Sequence, residues 1–159
     1  MDLNMTRETP IDGVVRTPMR LIQNQQGTLL HMLRCDDSGF SRFGEVYFSE
    51  ILPGVLKAWK RHLRQTQNFV VPVGHVRVAV FDSRESSPTH GLIEHFDLGR
   101  PNGYFRLTIP PMLHYGFECL GDVPALLANC TDLPHDPTEG EIVSEEIVGI
   151  KFPAVQGCI

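Results

Sequence analysis

The stretch GVLKAWKRHLRQTQNFVVPVG, from Gly54 to Gly74, decides how this chain is read. A glycine stands at each end. Between them lie two apolar runs, VLKAW and FVVPV, joined by a polar segment. Short runs rich in Val, Phe and Trp and limited by glycine are strands in character. The same pattern extends outward. In HVRVAVFD (75–82), Val76, Val78 and Val80 share one face, and His75, Arg77 and Ala79 the other. In YFRLTIPP (104–111), Phe105, Leu107 and Ile109 oppose Arg106 and Thr108. Alternation with period two, at turn-limited spacing, predicts strands of a sandwich or barrel. Helical character is scarce: SEILPG (49–54) reads as at most one turn, and DVPALLANC (122–130) as a short helix or a strand.

The chain has 159 residues, 42% hydrophobic and 21% charged, with a net charge of −5. That length predicts one domain over 1–159, large enough to bury a core. The negative balance argues against nucleic acid or an anionic membrane as a partner. No apolar run approaches the roughly 20 residues of a membrane span. The opening MDLNMTRETPIDG has no apolar signal segment, so the expected location is cytoplasmic. Cys35, Cys119, Cys130 and Cys158 are widely spaced and form no CxxC pair, so they are read as reduced thiols.

The Gly54–Gly74 stretch has the spacing of the first metal-binding motif of cupins, G-x5-H-x-H-x4-E-x6-G. The ligand chemistry is changed. Lys60 stands at the first His, Gln67 at the Glu, and only His62 is kept. In IPPMLHYGFECLG (109–121), Tyr115 stands where the second motif places its His. An ammonium, one imidazole, an amide and a phenol do not make a tight transition-metal site, so no metal is expected. His114 beside Tyr115 turns to the opposite face by strand alternation. The predicted fold is therefore all-β, a cupin jelly-roll barrel with short N- and C-terminal extensions.

A cupin without its metal ligands resembles the dTDP-4-dehydrorhamnose 3,5-epimerase family over roughly residues 10–153. The segment VFDSRESSPTHG (80–91) is similar to the family's V-D-x-R-x-x-S-P-T-x-G. LTIPPMLHYGFECL, GVLKAWK, NCTDLPHDP and NQQGTL resemble four further family segments. The resemblance implies an enzyme that needs no cofactor and works as a homodimer on a nucleotide-linked 4-keto-6-deoxyhexose. The ketone acidifies the neighbouring carbons. A base removes a proton, a donor or cation steadies the enolate, and an acid returns a proton to the opposite face. The family's base position falls here on Lys60, its acid on Pro134 or neighbouring His135, and its charge-steadying Lys on Gln67. The His before G-F is Tyr115, the Arg before the base is Lys57, and the phosphate Arg is Gln26. The partner carboxylate of the base maps to Glu145 or Glu146.

The proton-handling set expected from these positions is Lys60, His62 and Tyr115. Lys60 and His62, two apart on one strand, share a face. A histidine suits proton transfer near neutrality, and a lysine suits an enolate or a phosphate. Lys57, Gln67 and Arg106 are expected to bind substrate. Each has a plainer reading beside it: a solvated lysine, a satisfied interior histidine or glutamine, a packed tyrosine, an exposed arginine. Arg84 reads as a structural ion pair, Trp59 as core or dimer interface, and EGEIVSEE (139–146) as a solvated acidic stretch. Two competing readings stand alongside the enzyme: a non-catalytic cupin that binds a sugar nucleotide or pairs with a true epimerase, and a cupin with unforeseen metal ligands.

Overall fold

The computed structural model describes residues 7–144 and Phe152. Among these residues there is no helix. Thirteen strands run in chain order: β1 Arg7–Glu8, β2 Val15–Pro18, β3 Leu21–Asn24, β4 Gly27–Leu30, β5 Glu45–Ile51, β6 Leu56–His62 and β7 Gln67–Val73, then β8 His75–Phe81, β9 Ile93–Gly99, β10 Phe105–Ile109, β11 His114–Cys119, β12 Ala125–Thr131 and β13 Gly140–Ile142. A six-stranded sheet has the order β1-β2-β10-β7-β12-β5, and a five-stranded sheet the order β13-β6-β11-β8-β9. β3 and β4 form a separate hairpin. The ladders of both large sheets are antiparallel. This is the expected jelly roll, two sheets closed on a shared core.

Alternation puts the core where the sequence placed it. Phe69 and Val71 of β7, Leu107 and Ile109 of β10, and Leu127 of β12 face Val76, Val78 and Val80 of β8 and Phe117 of β11. The opposite face of the five-stranded sheet carries Trp59, Ala79 and Phe81, packed with Phe152. DVPALLANC is a strand, because β12 is hydrogen-bonded on both sides, to β7 and to β5. SEILPG holds no helical turn: its first three residues finish β5.

One irregularity shapes the site. Tyr115 pairs with Lys60, but Phe117 pairs with Lys57, so Ala58 and Trp59 together oppose the single residue Gly116. This is a β-bulge. Directly opposed residues share a face, so Lys57 and Lys60 lie on the same side although three residues apart. The bulge fits only because residue 116 has no side chain. A Cβ there would sit 2.4 Å from Ala58 Cβ. Gly116→Ala is expected to cost about 1–3 kcal/mol through this clash, read as a lowered denaturant midpoint.

The Val80–Gly91 segment ends β8 and then forms a loop, 82–91, closed on itself. Asp82, 0% exposed, accepts from Arg84 Nη2 at 2.8 Å and from the Ser87 and Thr89 hydroxyls at 2.6 Å each. Arg84 also donates to the Asp12 carbonyl at 2.8 Å, tying the loop to the N-terminal segment. The ion pair expected of Arg84 is present.

Candidate active site

A cleft of about 470 Å³ opens between the two sheets. One wall is β6, which presents Lys60 and His62; the other is β5, which presents Glu45 and Tyr47. The segment from His135 to Ile142 forms the rim. That rim is built locally. Asp136 Oδ1 accepts from the backbone N–H of Thr138 at 2.9 Å and from its hydroxyl at 2.7 Å, a turn to which Pro137 lends its fixed φ. The backbone N–H of Leu63 donates to the Glu139 carbonyl at 3.0 Å, and β13 then pairs with β6. These bonds deliver Glu139 to the end of β6.

His62 Nδ1 lies 2.5 Å from Glu139 Oε2. The other carboxylate oxygen accepts from the backbone N–H groups of Arg64 at 2.6 Å and Gln65 at 2.7 Å. Glu139 is 2% exposed. Burial pushes its carboxyl up, but the Arg64 N–H, the His62 ring and the Gln65 N–H outweigh it and bring the group below the usual glutamate range. An ionised carboxylate only accepts, so His62 Nδ1 donates to it, and in the neutral ring the lone pair then sits on Nε2. Such a histidine, oriented by a buried carboxylate, is able to act as a base, the logic of hydrolase dyads and triads.

The expected site residues fall in three groups. Lys60 and His62 line the cleft together. Tyr115 is 3% exposed and stacks behind His62, with ring centroids 6.0 Å apart and planes 8° from parallel. Burial first, then Tyr47 and Glu139, hold its phenol well above the ordinary value. Lys57, Gln67 and Arg106 do not line the cleft. Lys57 donates to the Glu50 carbonyl at 2.9 Å. Gln67, 1% exposed, has its amide taken up by Gln65 at 2.8 Å and Asn129 at 2.7 Å. Arg106 is not a solvated arginine. It is 3% exposed and paired with Asp37 at 2.7 Å. It alternates away from the core-facing Phe105 and Leu107, and the 31–38 segment covers it.

The sequence reading missed Glu139 and Tyr47. EGEIVSEE is not uniformly solvated, since Glu139 is buried on His62 and Glu141 is paired with Arg61. Glu145 and Glu146, the expected partner carboxylates, lie outside the described residues. The signal for Tyr47 was available: in EVYFSEI, Glu45, Tyr47, Ser49 and the buried Ile51 share the inward face. Nothing local marked Glu139. His135, beside the family's acid position, lines the cleft. Among the described residues no group of three or more His, Cys, Asp or Glu side chains is placed to hold a metal ion. No helix among them is long and apolar enough to cross a membrane.

A jelly-roll barrel with a carboxylate-held histidine lining its cleft is an arrangement able to carry acid–base chemistry, and comparison with known proteins gives the family. A dTDP sugar isomerase from Desulfovibrio desulfuricans G20 is 49% identical, with a TM-score of 0.87 over 91% of this chain and 92% of that one. The probable low-salt glycan biosynthesis epimerase Agl13 of Haloferax volcanii is 39% identical over 108 residues, 67% of this chain and 69% of the relative. The RmlC epimerase of Mycobacterium tuberculosis shares the fold, with a TM-score of 0.81 at 20% identity over 97% of this chain and 81% of its own. No protein-family profile matches the chain. The chain belongs to the RmlC-like, dTDP-4-dehydrorhamnose 3,5-epimerase family, and it is an enzyme of the sugar epimerase type.

Proposed function

We propose that this enzyme acts on a nucleotide-linked 4-keto-6-deoxyhexose, removing a proton from a carbon next to the ketone without a metal. The observation that carries the reading is the His62–Glu139 pair, open to the cleft beside Lys60. His62 Nε2 takes the proton; the electron pair of the C–H bond moves to the carbonyl oxygen; the Lys60 ammonium, on the same wall, steadies the enolate. Tyr115 keeps the imidazole ring in place from behind. A dTDP carrier is favoured because a solved relative 49% identical to this chain is a dTDP sugar isomerase. The reading includes a cytoplasmic homodimer. A second copy would cover the apolar Leu21, Ile22 and Leu29 that the β3–β4 hairpin exposes.

The test is deuterium wash-in from D2O into dTDP-4-keto-6-deoxyglucose, read at C3 and C5 by NMR. Exchange at either carbon is expected. Lys60→Ala is expected to slow it about 10²–10³-fold, the usual effect of removing one enolate-stabilising group. No exchange with the dTDP, CDP or GDP ketosugar would sink the reading.

A further inference from the structure

Inverting a carbon needs two proton-handling groups on opposite faces of the sugar ring, and the reading above, on which this inference rests, supplies one. Lys60 cannot be the second, because it stands on β6 with His62 and approaches from the same wall. Tyr115 cannot reach, because it lies behind His62 and does not line the cleft. The chain has three tyrosines. Tyr104 is spent on the His31 carbonyl, to which its hydroxyl donates at 3.0 Å. Tyr47 alone of the three lines the cleft, and it comes from β5, the facing wall.

The hydrogen-bond network fixes the role of the Tyr47 oxygen. The backbone N–H of Asn68 can only donate, and it meets Asn129 Oδ1 at 3.0 Å. That fixes the Asn129 amide, whose Nδ2 donates to Gln67 Oε1 at 2.7 Å and to the Tyr47 oxygen at 2.8 Å. The chain continues with one sense. Gln67 Nε2 donates to Gln65 Oε1 at 2.8 Å, and Gln65 Nε2 donates to the Leu133 carbonyl at 2.7 Å. Both ends are backbone groups of unambiguous role, so no amide in the chain can flip without placing donor against donor. The Tyr47 oxygen therefore accepts from Asn129, and its own hydrogen is free to face the cleft.

We propose that Tyr47 is the proton donor of this enzyme and that Asn129, fixed by the Gln67–Gln65 amide chain, is the residue that aims it. After His62 has taken the substrate proton, the enolate carbon forms its new C–H bond with the Tyr47 hydrogen. The O–H bond breaks and its electron pair stays on the phenolate. The Asn129 N–H stabilises that phenolate as it forms. His62 then gives its proton to solvent and Tyr47 recovers one from solvent, which closes the balance. Burial holds the Tyr47 phenol above its ordinary value, the Asn129 bond offsets part of that rise and the Glu45 charge adds to it, in keeping with a group held protonated until the enolate appears. This explains how the chain dispenses with a tyrosine at the family's acid position, where Pro134 and His135 stand.

The experiment compares two readouts in one tube, deuterium wash-in with retained configuration and formation of the inverted sugar, on dTDP-4-keto-6-deoxyglucose in D2O. Tyr47→Phe keeps the ring and is expected to lower inversion at least about 100-fold while wash-in stays within about ten-fold of wild type. Asn129→Asp, whose carboxylate has no hydrogen to give and draws the Tyr47 hydrogen toward itself, is expected to shift the ratio of inversion to wash-in in the same direction. Damage to folding would lower both readouts together. The proposal is overturned if Tyr47→Phe inverts within three-fold of wild type, if both readouts fall in parallel in a Tyr47→Phe enzyme whose denaturant midpoint matches wild type, or if His135→Gln loses inversion while Tyr47→Phe keeps it. A wild-type enzyme that exchanges no proton at all sinks the function proposed above, and this inference with it.

Discussion

Glu139→Gln is expected to lower turnover by about 10²–10⁴-fold, with KM little changed and the fold intact. The size follows from what general-base catalysis contributes, and the direction from the hydrogen bonds. Glu139 Oε1 faces two backbone N–H groups, Arg64 and Gln65. A glutamine must place its oxygen there, which turns its NH2 toward His62 Nδ1. That nitrogen then has to accept, the ring proton moves to Nε2, and the base faces the cleft without a lone pair. His62→Ala reaches a similar loss by removing the base itself. The two groups act as a unit, so the double variant is expected to be little worse than either single one. Initial rates of wash-in measure this directly, and nitrogen-15 spectra of the His62 ring report the tautomer. A Glu139→Gln enzyme with near wild-type rates would remove the carboxylate from the mechanism.

Asp82→Ala has the largest expected effect on stability. It leaves Arg84, a partly buried cation, without its main partner, and the Ser87 and Thr89 hydroxyls without their acceptor. Breaking a buried pair from one side costs about 3–5 kcal/mol. For a chain of this size that is a fall in Tm of roughly 10 °C. The same site sets an acid limit. Burial pushes the Asp82 carboxyl up, but Arg84, Ser87, Thr89 and the Arg84 N–H together bring it far below the ordinary value. A carboxylate depressed in the folded state contributes stability that is fully present above its unfolded value of about 4. That contribution is lost as pH falls from there toward the folded value. Wild-type stability is therefore expected to drop below about pH 4, and Asp82→Asn to flatten that slope. An unchanged acid profile in Asp82→Asn would show that other carboxylates set it.

What the residues determine locally was legible. Alternation in HVRVAVFD and YFRLTIPP placed Val76, Val78, Val80, Phe105, Leu107 and Ile109 in the core, because a strand's side chains face one way at every second position. The glycine spacing of Gly54–Gly74 and the Val80–Gly91 loop pointed to the barrel and the family. Lys60 and His62 were paired from their i, i+2 spacing alone. Arg106 shows where such reasoning stops. Its alternation was read correctly, yet exposure depends on what covers the outer face, and the 31–38 segment covers it.

The two pairs on which the proposed chemistry rests are of this second kind. Glu139 meets His62 across 77 residues and Tyr47 meets Asn129 across 82. Each pair exists because a turn, a strand edge or the opposition of two sheets brings distant backbone together. No period in the sequence records those distances. The chain by itself therefore determined the fold, the family and one wall of the cleft. Only tertiary packing decided which carboxylate meets His62 and which phenol stands on the facing wall.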